Sequence, residues 1–361
     1  MPQLLTDLVK PGVTLSEQVV TSLGGVLFEK GTRIQQREIE ILKAFLIERI
    51  SIEEEVEDHA VSVIDKGKAE QVKIQKAEEP DKRFDLKVSK AADYLEKITN
   101  WVGGGMPIPV MDLRETVQPL VQAVNAKPDV LFSIQKIKEL DKYTYEHSIF
   151  VGILSVAIAR WMKIPEQEYM QISLAGTLHN IGVCRIEPSI LHKPGKLNYD
   201  EFEEVKKHTS YGYQIIKGTA GLSEGVALAA LQHHEREDGS GYPQRVKGNQ
   251  IHLYAKIVAI ADVYHAMCTE RGYRKALSPY RVIEQLREYS FGKLDPVIVR
   301  TFISGIMQLS AGKIVRLNDG RVGKIIFVDP QNPTRPMIDI NGQIVNLVTS
   351  PSSFIEDVIS V

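Results

Sequence analysis

The sequence predicts a mainly α protein: a helical bundle with a small N-terminal α/β unit and a small C-terminal all-β appendage. Three observations predict it. Between 141 and 310 apolar residues recur at helical spacing. Within that stretch Tyr143–Met162 is apolar almost all round (Phe150, Val151, Ile153, Leu154, Val156, Ile158, Trp161), the mark of a core helix. From Lys313 the pattern shifts to alternating or short apolar runs punctuated by Asn318-Asp319-Gly320 and Asn341-Gly342, which are hairpin-turn sequences. Before residue 57 short apolar runs flank Ser22-Leu23-Gly24-Gly25 and lead into one helical pattern.

Taken in order, residues 1–56 predict strands at Val19–Val20 and Val26–Phe28, then a helix through Ile34, Ile39, Leu42, Phe45 and Leu46, then a closing strand at Ile50-Ser51-Ile52. No titratable cluster lies here, so this unit is read as regulatory or interacting. Residues 57–140 are a charged linker with lead-in helices, broken at Gly103-Gly104-Gly105 and Pro107–Pro109. In the central domain, 141–310, a second core helix is expected at Glu168–Asn180. Asn198 with Glu201 resembles a capping box opening a helix that carries His208. Ser223 opens a helix ending at His233-His234, Ile251–Thr269 carries Asp262, and Ser278-Pro279 and Asp295-Pro296 signal two more helix starts. Residues 311–361 form the β appendage.

Composition narrows the function classes. The net charge of -2 over 361 residues gives no electrostatic footprint for a nucleic-acid polymer. Met-Pro-Gln-Leu-Leu-Thr-Asp has neither a basic start nor a long apolar core, so no signal peptide is expected. The longest apolar run, near Ile149–Ala159, is well short of the ~20 residues of a membrane span. Cys184 and Cys268 are isolated, which fits a reducing cytoplasm.

The chemistry-bearing residues cluster in the central domain: His147, His179, Asn180, His208, His233, His234 and Asp262, all on predicted helices or at helix ends. Bundle helices can project such side chains into one interior and hold a metal there. Mixed imidazole and carboxylate donors suit Fe, Mn or Zn better than Ca or Mg. Neighbours on a helix point about 100° apart. His233 and His234 are therefore expected to serve two metals lying side by side rather than one. Such a pair stabilises both the attacking and the leaving oxygen of a phosphodiester displacement. His192, His252 and His265 are read as ordinary core or surface imidazoles, and His59 as solvated.

This ordered set resembles the HD superfamily of metal-dependent phosphohydrolases. The string His-His-Glu-Arg-Glu-Asp-Gly-Ser-Gly-Tyr-Pro at 233–243 is similar to the signature of the HD-GYP subfamily. So are Lys193-Pro194-Gly195-Lys196-Leu197, His208-Thr209-Ser210-Tyr211-Gly212, Ile260-Ala261-Asp262-Val263-Tyr264 and Arg271-Gly272-Tyr273-Arg274-Lys275-Ala276-Leu277. The resemblance covers about 141–310 and implies an HD-type bundle. It implies a phosphodiesterase that cleaves cyclic di-GMP, or a related phosphoester, in a bacterial cytoplasm. His147, His179, His208, His233, His234 and Asp262 fall on metal-ligand positions, with Asp262 and Asn180 at the catalytic centre. Tyr242, Arg271 and Arg274 fall on substrate positions. One or two divalent ions, Fe or Mn with Zn admissible, are the expected cofactors. A signalling protein and a second copy of the chain are further partners the resemblance allows.

Three departures qualify that reading. The family's His-Asp pair is His179-Asn180 here, and asparagine offers one neutral carbonyl oxygen instead of a bridging carboxylate. The family's lysine after a glycine is replaced, since Gly182 is followed by Val183. Tyr143 stands where a glutamate would add a third metal. Loss of one electrostatic stabiliser commonly costs on the order of 10²–10³ in rate. The sequence thus leaves two readings: a phosphodiesterase of impaired activity, or an inactive member that binds a ligand or partner as a signalling module.

Overall fold

The computed structural model describes residues 3–6, 9–20, 26–44, 47, 49–53, 82–126, 128, 131, 143–193, 195–269 and 278–360. Much of the charged linker lies outside them, as do Arg271 and Arg274. Contacts divide the chain into two compact units, Met1–Lys76 with Ile314–Phe354, and Ala77–Lys313 with Ile355–Val361.

The first unit holds β1 (Gln3–Leu5), β2 (Val19–Val20), β3 (Val26–Phe28), α1 (Gln36–Ala44) and β4 (Arg49–Ser51). β1 pairs antiparallel with β4, and β2 with β3. Leu15, Ile34, Leu42 and Ile50 close a small apolar core. The same unit contains β5 (Ile314–Leu317), β6 (Val322–Phe327), β7 (Met337–Ile340) and β8 (Gln343–Asn346), an antiparallel meander. Along β5 and β6 buried Val315, Leu317, Gly323 and Ile325 alternate with exposed Arg316 and Lys324, which is the period of a sheet with one buried face. Asn341 and Gly342 both take positive φ, 54° and 87°, as a two-residue hairpin turn requires. α1 packs against β8.

The second unit is helical: α2 (Lys82–Gly103), α3 (Val110–Ala126), α4 (Tyr143–Trp161), α5 (Tyr169–Leu178), α6 (Pro188–Leu191), α7 (Tyr199–Lys206), α8 (His208–Lys217), α9 (Glu224–Gln232), α10 (Leu253–Cys268), α11 (Pro279–Tyr289) and α12 (Pro296–Gln308), with a last strand β9 (Ile355–Ser360). α4 is the central rod, in contact with α2, α3, α5, α10 and α12, and its Val151, Ile153, Leu154 and Ile158 are fully buried. Three of the predicted helix starts are capped as the sequence implies, whereas Ser223 precedes α9 without a side-chain cap. Asn198 and Glu201 form a reciprocal capping box, and Ser278 and Asp295 accept backbone N–H groups at the starts of α11 and α12.

Two predicted helices end early, and both endings shape the site. The one expected through Asn180 stops at Leu178, after which Ile181–Arg185 forms a tight 3₁₀ turn. That turn packs on α8, where a side chain at Gly182 would overlap the backbone of His208 and Gly212, so only glycine fits. The helix expected to end at His233-His234 stops at Gln232, which leaves both histidines in the turn that follows.

Candidate metal centre

The site begins with a close helix crossing. α4 and α5 approach so tightly that a Cβ on Gly176 would stand 2.6 Å from Gly152 Cα. The crossing sets His147, on α4, beside His179, the residue capping α5, with ring centroids 5.7 Å apart. Asp262 comes from α10, which packs on both α4 and α5. His208 opens α8, and His233 and His234 follow α9.

These six residues form two groups of three. His147, His179 and Asp262 bring one donor atom each within 4.8 Å of the others, and so do His208, His233 and His234. The groups adjoin through His179 and His233, whose ring centroids lie 4.9 Å apart. His233 and His234 therefore serve the same group, contrary to the expectation from ideal helix geometry. The physical reason is that the helix has ended: the turn sets the direction of His234, and the two rings come to 4.1 Å.

Backbone carbonyls fix most of the tautomers. His179 Nδ1 lies 2.6 Å from Gly176 O, His208 Nδ1 lies 2.6 Å from Val205 O, and His233 Nδ1 lies 3.0 Å from Ala230 O. A carbonyl only accepts, so each Nδ1 carries the proton and each Nε2 is a bare lone pair. His208 Nε2 and His233 Nε2 then face each other at 3.4 Å, and His179 Nε2 is buried with no hydrogen-bond partner. Such an arrangement of lone pairs is satisfied by a shared cation.

The electrostatics agree with metal binding, which needs neutral imidazoles and an ionised carboxylate. Burial holds His179 down to about 4 and His234 down to about 3, and it lowers His233 and His208 as well. Burial alone would raise the Asp262 carboxyl. The hydrogen bond from His147 Nε2 at 3.1 Å and the surrounding imidazoles outweigh it and leave Asp262 well below the usual carboxylate range.

His265, read from the sequence as an ordinary imidazole, is part of this arrangement. Its Nδ1 lies 2.8 Å from His147 Nδ1, so it is placed to hold the His147 ring while Nε2 faces Asp262. It sits one turn beyond Asp262 on α10, and that spacing is the signal the sequence carries. Tyr242 lies against His234 with ring centroids 4.7 Å apart, and its N–H donates to His234 O. Glu235, also in the motif, is buried and accepts backbone N–H groups from Gln244 and Arg245, which fixes the loop.

A cavity of about 570 Å³ opens onto both groups. His147, Asn180, His234 and Asp262 line it, together with Arg236, Tyr289 and Lys293. Asn180 therefore stands in a wall shared by the two groups, without a negative charge to offer them. Val183 is not in that wall; it lines a smaller neighbouring cavity.

Fold and site together describe a helical domain whose histidines and Asp262 could hold metal ions. A family profile described as HD domain matches residues 126–298. That match falls on the helices that carry the six donors. Over 236 residues the chain is 33% identical to the cyclic di-GMP phosphodiesterase PA4108 of Pseudomonas aeruginosa, covering 65% of this chain and 57% of that relative. It is 39% identical over 217 residues to the cyclic di-GMP phosphodiesterase response regulator RpfG of Xanthomonas campestris, covering 55% of this chain and 57% of that protein. It is 32% identical over 196 residues to the 3'3'-cGAMP-specific phosphodiesterase 2 of Vibrio cholerae, covering 54% and 36%. The chain thus spans between about a third and three-fifths of these relatives' lengths. Among solved structures, Bd1817, a HDG"Y"P protein from Bdellovibrio bacteriovorus, shares the fold, with a TM-score of 0.52 and 14% identity over 83% of this chain and 97% of that one. Among the described residues no helix is long and apolar enough to cross a membrane.

Proposed function

We propose that this chain is a metal-dependent phosphodiesterase of cyclic dinucleotides, with cyclic di-GMP as its first substrate, working at reduced rate in the cytoplasm. The observation that carries the proposal is the pair of adjoining three-donor groups at one cavity, with bare Nε2 atoms turned toward each other. His147, His179 and Asp262 would hold one divalent ion, and His208, His233 and His234 a second. Fe or Mn suits this imidazole-rich set, and Zn is admissible. Bound there, such ions supply the Lewis-acid charge that stabilises the oxygens entering and leaving phosphorus.

The chain's own residues do the rest. Asp262 contributes the only carboxylate among the six donors. Asn180 presents an amide to the cavity where a carboxylate would bind metal more tightly, and this supports the reduced rate. Tyr242 buttresses His234. Arg271 and Arg274 are proposed as further phosphate contacts, guanidinium forks being matched to phosphate oxygens. Residues 1–56 and 311–361 are proposed as regulatory or partner-binding pieces flanking the domain, the partner being a signalling protein or a second copy.

The test is hydrolysis of cyclic di-GMP at high enzyme concentration with Mn, Fe or Zn supplied, beside His233→Ala. Slow release of linear dinucleotide that the variant abolishes is expected. No product with any of the three metals overturns catalysis. It would leave the second reading, a ligand-binding signalling module, which the neutral Asn180 favours and which predicts binding without product.

A further inference from the structure

We propose that the turn between α11 and α12 is a nucleotide-recognition wall, in which Tyr289 stacks a nucleobase and Lys293, with Arg236, holds the phosphodiester that is not being cleaved. The inference rests on the cyclic-dinucleotide reading above and names how that substrate is gripped. Both Tyr289 and Lys293 line the cavity onto which the two donor groups open. Neither belongs to the motif that carries the family likeness.

The wall is held in place from both sides. Glu237 N–H, in the motif loop, donates to Lys293 O at 3.1 Å. Lys256 Nζ joins Glu237 Oε1 at 2.9 Å to Asp295 Oδ2 at 3.1 Å, and Asp295 in turn caps α12. Leu294 is buried, and its N–H donates to Tyr289 O at 3.1 Å. The turn is thus fastened to the loop that bears His233 and His234, and its side chains keep a set relation to the donors.

The exposed groups have the chemistry a dinucleotide asks for. Tyr289 is 41% exposed, leaving ring surface open to a base. Lys293 Nζ sits 5.4 Å from the centre of that ring, and, alongside hydrogen bonds from Ser240, its charge helps hold the exposed Asp238 carboxyl of the motif loop below its ordinary value. Arg236 Nη1 is braced by His233 O at 3.2 Å and Glu235 O at 2.8 Å, which orients the guanidinium at the cavity. A cyclic dinucleotide carries two anionic phosphodiesters and two flat bases. When one phosphodiester is at the donor groups, the other needs countercharge, and a base beside it needs a ring to stack on.

The test is equilibrium binding of cyclic di-GMP, cyclic di-AMP and 3'3'-cGAMP to the metal-loaded full chain. The variants are Tyr289→Leu, Lys293→Gln, Lys293→Arg and, as a control, Phe291→Ala, whose side chain is 82% exposed and is not among the cavity-lining residues. Expected are a rise in Kd of about tenfold for Tyr289→Leu and Lys293→Gln, a shallower salt dependence for Lys293→Gln, and recovery in Lys293→Arg. Metal content and melting temperature should not move, and Phe291→Ala should bind like wild type. Wild-type binding that Tyr289→Leu and Lys293→Gln both retain overturns this inference alone. No wild-type binding to any of the three overturns the functional reading, and this inference with it.

Discussion

Gly176→Ala tests the helix crossing on which the site is built. The added Cβ would meet Gly152 Cα at 2.6 Å and Gly152 N at 2.7 Å, both backbone atoms of α4. Carbon atoms rest about 3.5–4 Å apart, so the two helices must separate by roughly 1 Å. Alanine's helix propensity favours the substitution by about 1 kcal/mol. Overpacking costs about 1–3 kcal/mol, and the upper end applies because no side chain can turn aside. The net is a destabilisation of about 2 kcal/mol, which for a domain of this size lowers Tm by about 4–8 °C. Thermal unfolding of the metal-free full chain, followed by circular dichroism, reads it directly. Gly218→Ala, at the end of α8, is the control: its nearest neighbour would be Gln214 O at 3.8 Å, and a change within about 0.5 kcal/mol is expected. A Gly176→Ala protein that melts at or above the wild-type temperature would show that the crossing is not tight.

Other perturbations separate the parts of the account. In metal-free protein, burial puts His179 at about 4 and His234 at about 3, below the ordinary 6.5. The unfolded chain therefore takes up these protons first. Stability is full above pH 6.5 and declines as pH falls toward the folded-state values, by about 3 kcal/mol from His179 alone; denaturant titrations that agree at pH 7.5 and 5 would contradict this. His265→Phe removes no direct donor of the two groups but frees the His147 ring, and metal affinity in a chelator competition should drop about 10–100-fold; unchanged affinity would make His265 mere packing. Glu235→Ala strips Gln244 and Arg245 of their acceptor at a cost of about 1–3 kcal/mol. Their amides should then exchange faster with deuterium, and unaltered protection would count against the clamp.

What the sequence made legible follows from what spacing can encode. The bundle is visible because α4 and α5 are apolar on every side, and the caps at Asn198, Ser278 and Asp295 are local chemistry. The six donors stand out because histidine is rare and they share one domain. Their grouping was not legible, since it depends on α9 ending at Gln232, two residues before His234. β1 is a three-residue strand whose partner, β4, lies far along the chain, so it has no strong local period. His265 looked ordinary because its partner, His147, is 118 residues away. Tyr289 and Lys293 carry no motif at all; only the folded cavity places them beside Asp262.

The central claim is that two adjoining donor groups bind divalent metal and that Asn180 limits what they do. The most direct measurement is metal content together with cyclic di-GMP turnover, made on the wild type and on the Asn180→Asp, Val183→Lys double variant. The account predicts bound metal and slow turnover in the wild type, with tighter metal binding and faster turnover in the variant. A wild-type protein that binds no divalent metal, or a folded double variant that gains neither affinity nor rate, would contradict it.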